Sequence, residues 1–296
     1  MQTRGGIVAA VVTATVTMLW ASGVATATAT CPPSPFRSAR PLVIAHASST
    51  YFGPGNTIEM MRAAVKAGAD IVDADVRVTS DGALVAAHDD DLRALTGTSG
   101  SIAHLPLADV QRRNAGYTWP GPKGDFPLRA RHVRVPTVEQ ILNAFPGRRI
   151  SLEFKTTGGE QSMCTLLRRL HRTSDVYIGS AGDGPVDRFK PLCPEVTTTV
   201  TDAMVEVMRE VQTSGRAWCS PSAIGQPPYA IGTRQIVTKA SVDWAHAHGM
   251  AVYTWTLDDP KRLTAAASAG VDAVYTGRAD LARTIVNRLT KSKISR

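Results

Sequence analysis

The chain has 296 residues, 43% of them hydrophobic and 20% charged, which excludes a disordered tail, a short peptide and a collagen-like repeat. Its 33 Lys and Arg against 25 Asp and Glu give a formal net charge of +8, a balance that favours anionic partners such as phosphates, nucleic acid or an anionic membrane surface. Aromatic residues make up only 6% of the chain and the basic residues are scattered, so we expect no nucleic-acid partner.

The first 29 residues have the pattern of a secretory signal peptide. Arg4 precedes an uncharged, largely apolar run over residues 7–20, and small residues with two A-x-A cleavage sites follow between Ala25 and Ala29. The pattern predicts export and a mature start near residue 28 or 30. A retained membrane anchor fits less well because the apolar run is shorter than about 20 residues. Cys31 follows Thr30, a poor match to the small residue that precedes a lipidated cysteine.

Short apolar runs alternate with amphipathic segments along the rest of the chain. At the first helix, Asn56 precedes Thr57-Ile58-Glu59, which predicts Asn56 as the N-cap with Glu59 three residues later. The predicted strands cover residues 41–46, 70–78, 149–155, 175–180, 195–200, 250–257 and 273–276.

Repeated strand-helix units predict a parallel sheet. The turn Ala67–Asp70 recurs as Ala269–Asp272 near the other end of the chain, each time just before a strand. Residues 30–296 have room for roughly eight strands, which favours a single-domain α/β fold, a TIM-type (β/α)8 barrel, over a doubly wound sheet. Residues 97–135, rich in Gly, Pro and Arg, are predicted to form a loop excursion between strands two and three.

Four cysteines remain after the predicted cleavage. In an oxidising compartment an even number indicates two disulfides, with three connectivities available, although buried free thiols are the alternative. Cys164 lies on the helix after the third predicted strand and Cys193 ends the next helical segment, so the two are neighbours in a barrel. We therefore expect a Cys164–Cys193 disulfide, which leaves Cys31 to pair with Cys219.

Charged residues cluster at the ends of two predicted strands. The side-chain period of two places Asp73, Asp75 and Arg77 on one face of their strand, and Glu153 and Lys155 on one face of another. Two carboxylates buried side by side are costly unless a cation joins them. Hard oxygen ligands of this kind suit Mg²⁺ or Ca²⁺.

Two histidines also lie where predicted strands end. His46 ends the first strand, and His88 ends the segment after the Ser80-Asp81-Gly82 turn. Two histidines beside three carboxylates indicate an acid-base pair around a metal. The sequence contains no G-x-S-x-G elbow, P-loop or G-x-G-x-x-G fingerprint, which disfavours serine-hydrolase and nucleotide-binding functions.

These residues stand in an order that resembles the glycerophosphodiester phosphodiesterase family. The matching segments are His46, Pro54–Thr57, Gly68–Val76, Thr79–Gly82, His88-Asp89, Leu92–Gly100, Val135–Leu142, Leu152–Lys155, Tyr253–Thr256, Gly270–Ala273 and Thr276–Arg278. The resemblance covers about residues 41–160 and 241–285. It implies a TIM-type barrel, a divalent cation and hydrolysis of a glycerol phosphodiester.

The resemblance also implies roles for individual residues. His46 and His88 correspond to the acid-base pair and Lys155 to a phosphate contact. The implied metal ligands are Asp73, Asp75 and Glu153. We expect Arg77, on the same strand face as two of these ligands, to reach the phosphate, and Trp255 to contact the substrate.

Three positions depart from the family pattern. The family has Arg where this chain has Ala47, and Glu where it has Gly55 and Asp73. Asp73 keeps the negative charge of the family's Glu, but its side chain is one methylene shorter. Ala47 lacks the guanidinium with which the family's Arg could hold the phosphate. Sphingomyelinase D toxins, distant relatives on the same fold, also lack that Arg.

The interpretation favoured by these patterns is a secreted, metal-dependent phosphodiesterase that releases an alcohol and glycerol 3-phosphate. A phospholipase D-like enzyme that forms a cyclic phosphate from a lysophospholipid or sphingolipid is the alternative within the same class. The alternative from a different functional class is a non-catalytic barrel that binds a cell-envelope ligand.

Overall fold

A computed structural model describes residues 30–180 and 182–294, so the predicted signal peptide lies outside the described residues. The strands are Leu42–Ala45 (β1), Ile71–Val78 (β2), Leu84–Ala86 (β3), Ile150–Phe154 (β4), Val176–Ser180 (β5), Thr197–Thr198 (β6), Ile224–Gly225 (β7), Ala230–Ile231 (β8), Arg234–Gln235 (β9), Ala251–Thr254 (β10) and Ala273–Thr276 (β11). The α-helices are Ile58–Lys66 (α1), Arg93–Thr96 (α2), Leu107–Arg112 (α3), Val138–Ala144 (α4), Glu160–Arg169 (α5), Asp183–Leu192 (α6), Asp202–Ser214 (α7), Lys239–Ala247 (α8), Pro260–Ala269 (α9) and Ala279–Ile294 (α10).

Eight strands of the described chain form a parallel barrel. Their order is β6-β5-β4-β2-β1-β11-β10-β7. A parallel bridge between Thr199 and Ile224 and a 2.9 Å hydrogen bond from the Val200 N–H to the Ile224 carbonyl join the two ends of this order. The TIM-type barrel predicted from the sequence is therefore confirmed. Strand β7, with two residues, was absent from the predicted set because it is too short to show a hydrophobic period.

Side chains alternate between the barrel interior and the surrounding helices. In β2, Val72, Ala74 and Val76 belong to the large core under the helices, whereas Ile71 belongs to a second core inside the barrel. Phe36, Tyr177, Tyr253 and Tyr275 also belong to that inner core. Because Asp73 and Asp75 share the period of Ile71, they too face the interior.

The segment after β2 departs from the strand-helix alternation. Strand β3 pairs antiparallel with β2, and the chain then runs through α2, a short 3-10 helix at Ile102–His104, and α3 before α4. Eight buried side chains give this segment a small core of its own, namely Val85, Ala87, Leu92, Ile102, Val110, Ala115, Val133 and Val135. The excursion is thus anchored by apolar packing and leaves its turn-rich part on the surface.

Two disulfides tie distant parts of the chain together. Cys31 is bonded to Cys219, and Cys164 to Cys193, as the sequence predicted. The first bond holds the N-terminal segment against the loop before β7, across a sequence separation of 188 residues. No described helix is both long enough and apolar enough to cross a membrane.

Candidate active site

The carboxyl ends of β1, β2 and β4 bring the predicted site residues to one end of the barrel. His46 directly follows β1, and its N–H donates to the Thr276 carbonyl at the end of β11 over 3.0 Å. The parallel register of β2 and β4 places Asp75 beside Glu153 and Asp73 beside Ser151. Active sites of TIM barrels lie at this end of the strands, so the topology alone gathers these side chains.

Asp75 is buried, and its carboxylate is held by hydrogen bonds and an ion pair. Its Oδ2 accepts hydrogen bonds from Ser48 Oγ at 2.8 Å and from Asn56 Nδ2 at 2.7 Å, while its N–H donates to Asn56 Oδ1. Its Oδ1 lies 3.2 Å from the Lys155 ammonium. Burial alone would raise the pKa of Asp75, but Lys155, Asn56 and Ser48 outweigh it and hold the pKa below its ordinary value.

Asn56 was predicted to cap α1, and this prediction is wrong. The helix begins at Ile58, and Thr57 is its N-cap, with its side chain accepting from the Met60 N–H. Asn56 instead adopts a left-handed conformation with φ 58°, which Asn tolerates better than most residues. The Asn56 amide is therefore free to bind Asp75, a contact that the helix-cap pattern concealed.

Asp73 lies deeper than Asp75 and is crowded by other acids. One of its oxygens accepts the Ala47 N–H at 3.0 Å. Burial, together with the nearby charges of Asp75 and Glu153, raises its pKa to about 8. Positive charge that approached the cluster would lower this pKa again.

The Lys155 ammonium supplies the cluster with its one contacting cation among the described residues. It lies 2.7 Å from Glu153 Oε1 and 3.2 Å from Asp75 Oδ1. Burial would lower its pKa, but these two carboxylates outweigh that effect and raise it. Lys155, predicted to contact a phosphate, is thus ion-paired with two carboxylates of the cluster.

The donor set fits a hard divalent cation by its chemistry. Asp73, Asp75 and Glu153 offer only oxygen ligands. Burial and the charges of Asp75 and Glu153 raise the pKa of Asp73 even with Lys155 in contact with the cluster. In the described residues, however, the three carboxylates do not all come within 4.8 Å of one another. Because Lys155 occupies one oxygen of Asp75 and one of Glu153, a bound cation must share these carboxylates with the ammonium.

His88 lies apart from the buried cluster, on the segment that follows β3. Its side chain is 54% exposed, and its Nδ1 lies 2.8 Å from an Asp89 carboxylate oxygen. Arg77, expected to reach the phosphate, donates from Nε and a terminal nitrogen to the His88 carbonyl over 2.9 and 2.7 Å. Arg77 therefore fixes the main chain that carries His88.

The loop after β1 supplies neutral hydrogen-bond donors to the carboxylates and contains two of the positions that depart from the family pattern. Ala47 is fully buried, and its carbonyl accepts the Asn56 N–H at 2.7 Å. A Cβ atom at Gly55 would lie 3.2 Å from that same carbonyl oxygen, so a larger residue there would require the loop to shift by a few tenths of an ångström. Ala47, Ser48 and Asn56 thus offer Asp73 and Asp75 an N–H, a hydroxyl and an amide.

Aromatic side chains surround the mouth of the site. Trp255 follows β10, is 46% exposed, and donates from Nε1 to the Gln226 carbonyl over 2.8 Å. Trp119 of the excursion donates in the same way to the Thr50 carbonyl. On another side, Asp258 accepts from Thr276 Oγ1 and the Gly277 N–H. The sequence did not indicate Ser48 or Asp258 as site residues, because the contacts of both depend on the conformation of their loops.

Comparison with known proteins identifies the family of this site. The model of the glycerophosphoryl diester phosphodiesterase family matches residues 46–281. The chain belongs to this family. The match begins at His46 and contains every predicted site residue of the cluster, so the resemblance inferred from the sequence is confirmed.

Relatives of the family align over most of the chain. A probable glycerophosphodiester phosphodiesterase 2 of Mycobacterium tuberculosis is 28% identical over 83% of this chain and 90% of its own length. Among solved structures, a glycerophosphoryl diester phosphodiesterase domain from the same organism has a TM-score of 0.71 and 22% identity, covering 83% of this chain and 98% of that one. An Oleispira antarctica phosphodiesterase in complex with the product sn-glycerol-3-phosphate has a TM-score of 0.67 and 22% identity, covering 84% and 97%.

Proposed function

We propose that this protein is an exported, divalent-cation-dependent phosphodiesterase that hydrolyses glycerophosphodiesters to an alcohol and glycerol 3-phosphate. The observation that carries the proposal is the cluster of Asp73, Asp75 and Glu153 beside His46, inside a chain of this family. The product named for the Oleispira relative is consistent with the same reaction. Two disulfides and the apolar, small-residue N-terminus support export.

The metal site of this proposal consists of Asp73, Asp75 and Glu153. A Mg²⁺ or Ca²⁺ ion held there would polarise the phosphoryl oxygens and offset the charge of the carboxylates. Lys155 lies against two of these ligands and contacts the phosphate of the bound substrate. Trp255, exposed at the mouth, contacts the alcohol portion.

His46 acts as the general base. Burial lowers its pKa, and this effect exceeds the opposing influence of Asp75, Asp258 and Glu153, so the imidazole is neutral at neutral pH. A neutral imidazole can take the proton from the 2-hydroxyl of the substrate glycerol as that oxygen attacks phosphorus. The attack forms a cyclic phosphate and breaks the bond to the leaving alcohol.

His88 acts as the general acid. Its ring is held by Asp89, and Arg77 fixes the backbone of the same residue. His88 donates a proton to the leaving alcohol oxygen. Water then opens the cyclic phosphate, with the two histidines exchanging roles, and glycerol 3-phosphate is released.

Product analysis tests this function against its two alternatives. The protein is incubated with glycerophosphocholine and with lysophosphatidylcholine, each with Mg²⁺, with Ca²⁺ and with EDTA, and the products are followed by phosphorus NMR. We expect glycerol 3-phosphate from glycerophosphocholine in the presence of a cation. A cyclic phosphate from the lysophospholipid as the final product would support the phospholipase D-like alternative. Binding without turnover of either compound would support a barrel that only binds.

The control for this test is a variant that removes one carboxylate from the cluster. Asp75→Asn keeps the shape of the side chain and can still bind Ser48, but it removes a charge next to Lys155. We expect loss of most activity and weaker cation binding with the barrel intact. Full turnover by Asp75→Asn would contradict the assignment of the metal site.

A further inference from the structure

Large apolar side chains are exposed mainly at one end of the barrel. Of the four such residues in the described chain, Tyr51, Tyr117 and Trp255 are 52%, 44% and 46% exposed, and the fourth is Leu192. Tyr51 follows β1 and Trp255 follows β10, so both lie at the carboxyl ends of the strands. Leu192 is the last residue of α6, and a helix that follows a barrel strand ends at the opposite side. The exposed aromatic residues therefore surround the mouth of the site.

A surface loop of the excursion brings Tyr117 to this mouth. We call residues 117–131 the aromatic-basic loop, since they contain no helix or strand. Trp119 Nε1 donates to the Thr50 carbonyl over 2.8 Å, which fixes the loop next to Tyr51. The Thr118 side chain bonds the Ala94 carbonyl, so the base of the loop is held from two sides.

Cations accompany these aromatic rings. The Arg129 guanidinium lies over the rings of Tyr117 and Phe126, at 4.8 and 3.9 Å from their centroids, and that of Arg278 lies 4.4 Å over Tyr51. The loop also carries Lys123 and Arg131 against a single acid, Asp125. The acids of this end, such as Asp89 and Asp258, lie on the strand-end segments and outside the loop.

We propose that the aromatic-basic loop and Tyr51 bind the surface of an anionic lipid bilayer, so that the mouth of the site faces the membrane. Tyr and Trp rings favour the boundary between lipid headgroups and acyl chains because one part of each ring system is apolar and another is polar. Arg and Lys beside them are attracted by the negative surface potential of anionic lipids. The occupant is a membrane because cations and exposed aromatic rings lie together at this mouth. The loop carries Lys123, Arg129 and Arg131, all exposed, with the exposed ring of Tyr117.

Vesicle binding tests the proposal without depending on the proposed activity. The purified protein is sedimented with vesicles of phosphatidylcholine alone and of phosphatidylcholine mixed with phosphatidylglycerol, at low and high salt. We expect binding to the anionic vesicles, weakened by salt. Lys123→Glu changes the charge of the loop by two. With about fivefold weaker partitioning per charge, we expect vesicle binding to fall by about 25-fold. Lys123 is exposed at a turn, so we expect the substitution to leave the fold intact.

Matched substitutions at the other end of the barrel serve as controls. Tyr117→Ser is compared with Leu192→Ser, and Lys123→Glu with Lys66→Glu, since Lys66 is exposed in the last turn of α1. Only the substitutions in the loop should weaken vesicle binding. Equal losses at both ends, or no binding to anionic vesicles at low salt, would overturn the proposal. So would an increase in KM for soluble glycerophosphocholine in Tyr117→Ser with vesicle binding unchanged, because the ring would then bind substrate.

Discussion

Substitution of Lys155 by Met removes the cation from the carboxylate cluster while keeping a side chain of similar length. In the wild-type protein the ammonium lies 2.7 Å from Glu153 and 3.2 Å from Asp75, and the Lys155 side chain is only 13% exposed. Removing one partner of a buried ion pair leaves an uncompensated charge and costs about 3–5 kcal/mol. We expect Lys155→Met to lower the free energy of unfolding in EDTA by about that amount.

The same variant should respond more strongly than the wild type to divalent cations. Lys155 and a bound cation share the carboxylates of Asp75 and Glu153, so loss of the ammonium leaves more negative charge for the ion to offset. Addition of Mg²⁺ or Ca²⁺ should therefore restore more stability to Lys155→Met than it adds to the wild-type protein. Activity should nonetheless fall, because the phosphate loses its lysine contact.

Urea unfolding with and without cation measures both effects, and the chain offers a matched control. Lys239 approaches Asp243 to 2.6 Å, yet the two side chains are 74% and 57% exposed. Lys239→Met should cost less than about 0.5 kcal/mol because water screens that pair. If Lys155→Met costs no more than Lys239→Met in EDTA, or if cations stabilise variant and wild type equally, the charge balance described for the cluster is wrong.

Three further predictions concern the loop after β1, the opposite end of the barrel and the disulfides. Asn56→Ala and Asn56→Gly both remove the amide that binds Asp75 and should each cost about 2–4 kcal/mol in urea unfolding; recovery in the Gly variant alone would attribute the loss to the left-handed backbone. Burial would raise the pKa of Asp70, but Arg40, the Val43 N–H and Arg283 outweigh it and lower the pKa. Asp70 therefore adds stability above its unfolded pKa of about 4, and this is lost as the pH falls through the folded value. Asp70→Asn should accordingly be about 2 kcal/mol less stable than wild type at pH 7 and equal to it in strong acid, and a deficit that persists in acid would refute the ionic role. Paired replacement of Cys31 and Cys219 by Ser should cost about 3–5 kcal/mol because the disulfide closes a long loop, and an unchanged midpoint of thermal unfolding would contradict this.

Periodicity predicted those parts of the site that depend on strand geometry alone. The period of two in β2 placed Asp73 and Asp75 on one face, and the structure shows that this face is the barrel interior. Strand β7 could not be predicted in this way, since two residues show no period. Its position is fixed by hydrogen bonds to its neighbours in the closed barrel.

Contacts made by loop conformation could not be predicted from the sequence. Asn56 has the residue type and spacing of a helix cap, but a left-handed backbone turns its amide toward Asp75. Arg77 was expected at the phosphate from its strand face. The antiparallel pairing of β2 with β3 also brings the His88 carbonyl within reach of Arg77, a contact that the sequence did not predict. Both contacts arise from pairings between segments that have no local signature.

The central claim is that the carboxylate cluster and His46 form the active site of a phosphodiesterase. It is tested most directly by kcat for glycerophosphocholine in His46→Ala at saturating cation. A general base contributes about 10²- to 10⁴-fold, so we predict a loss of that size with cation affinity and thermal stability unchanged. Turnover by His46→Ala within a few-fold of the wild type would contradict the account.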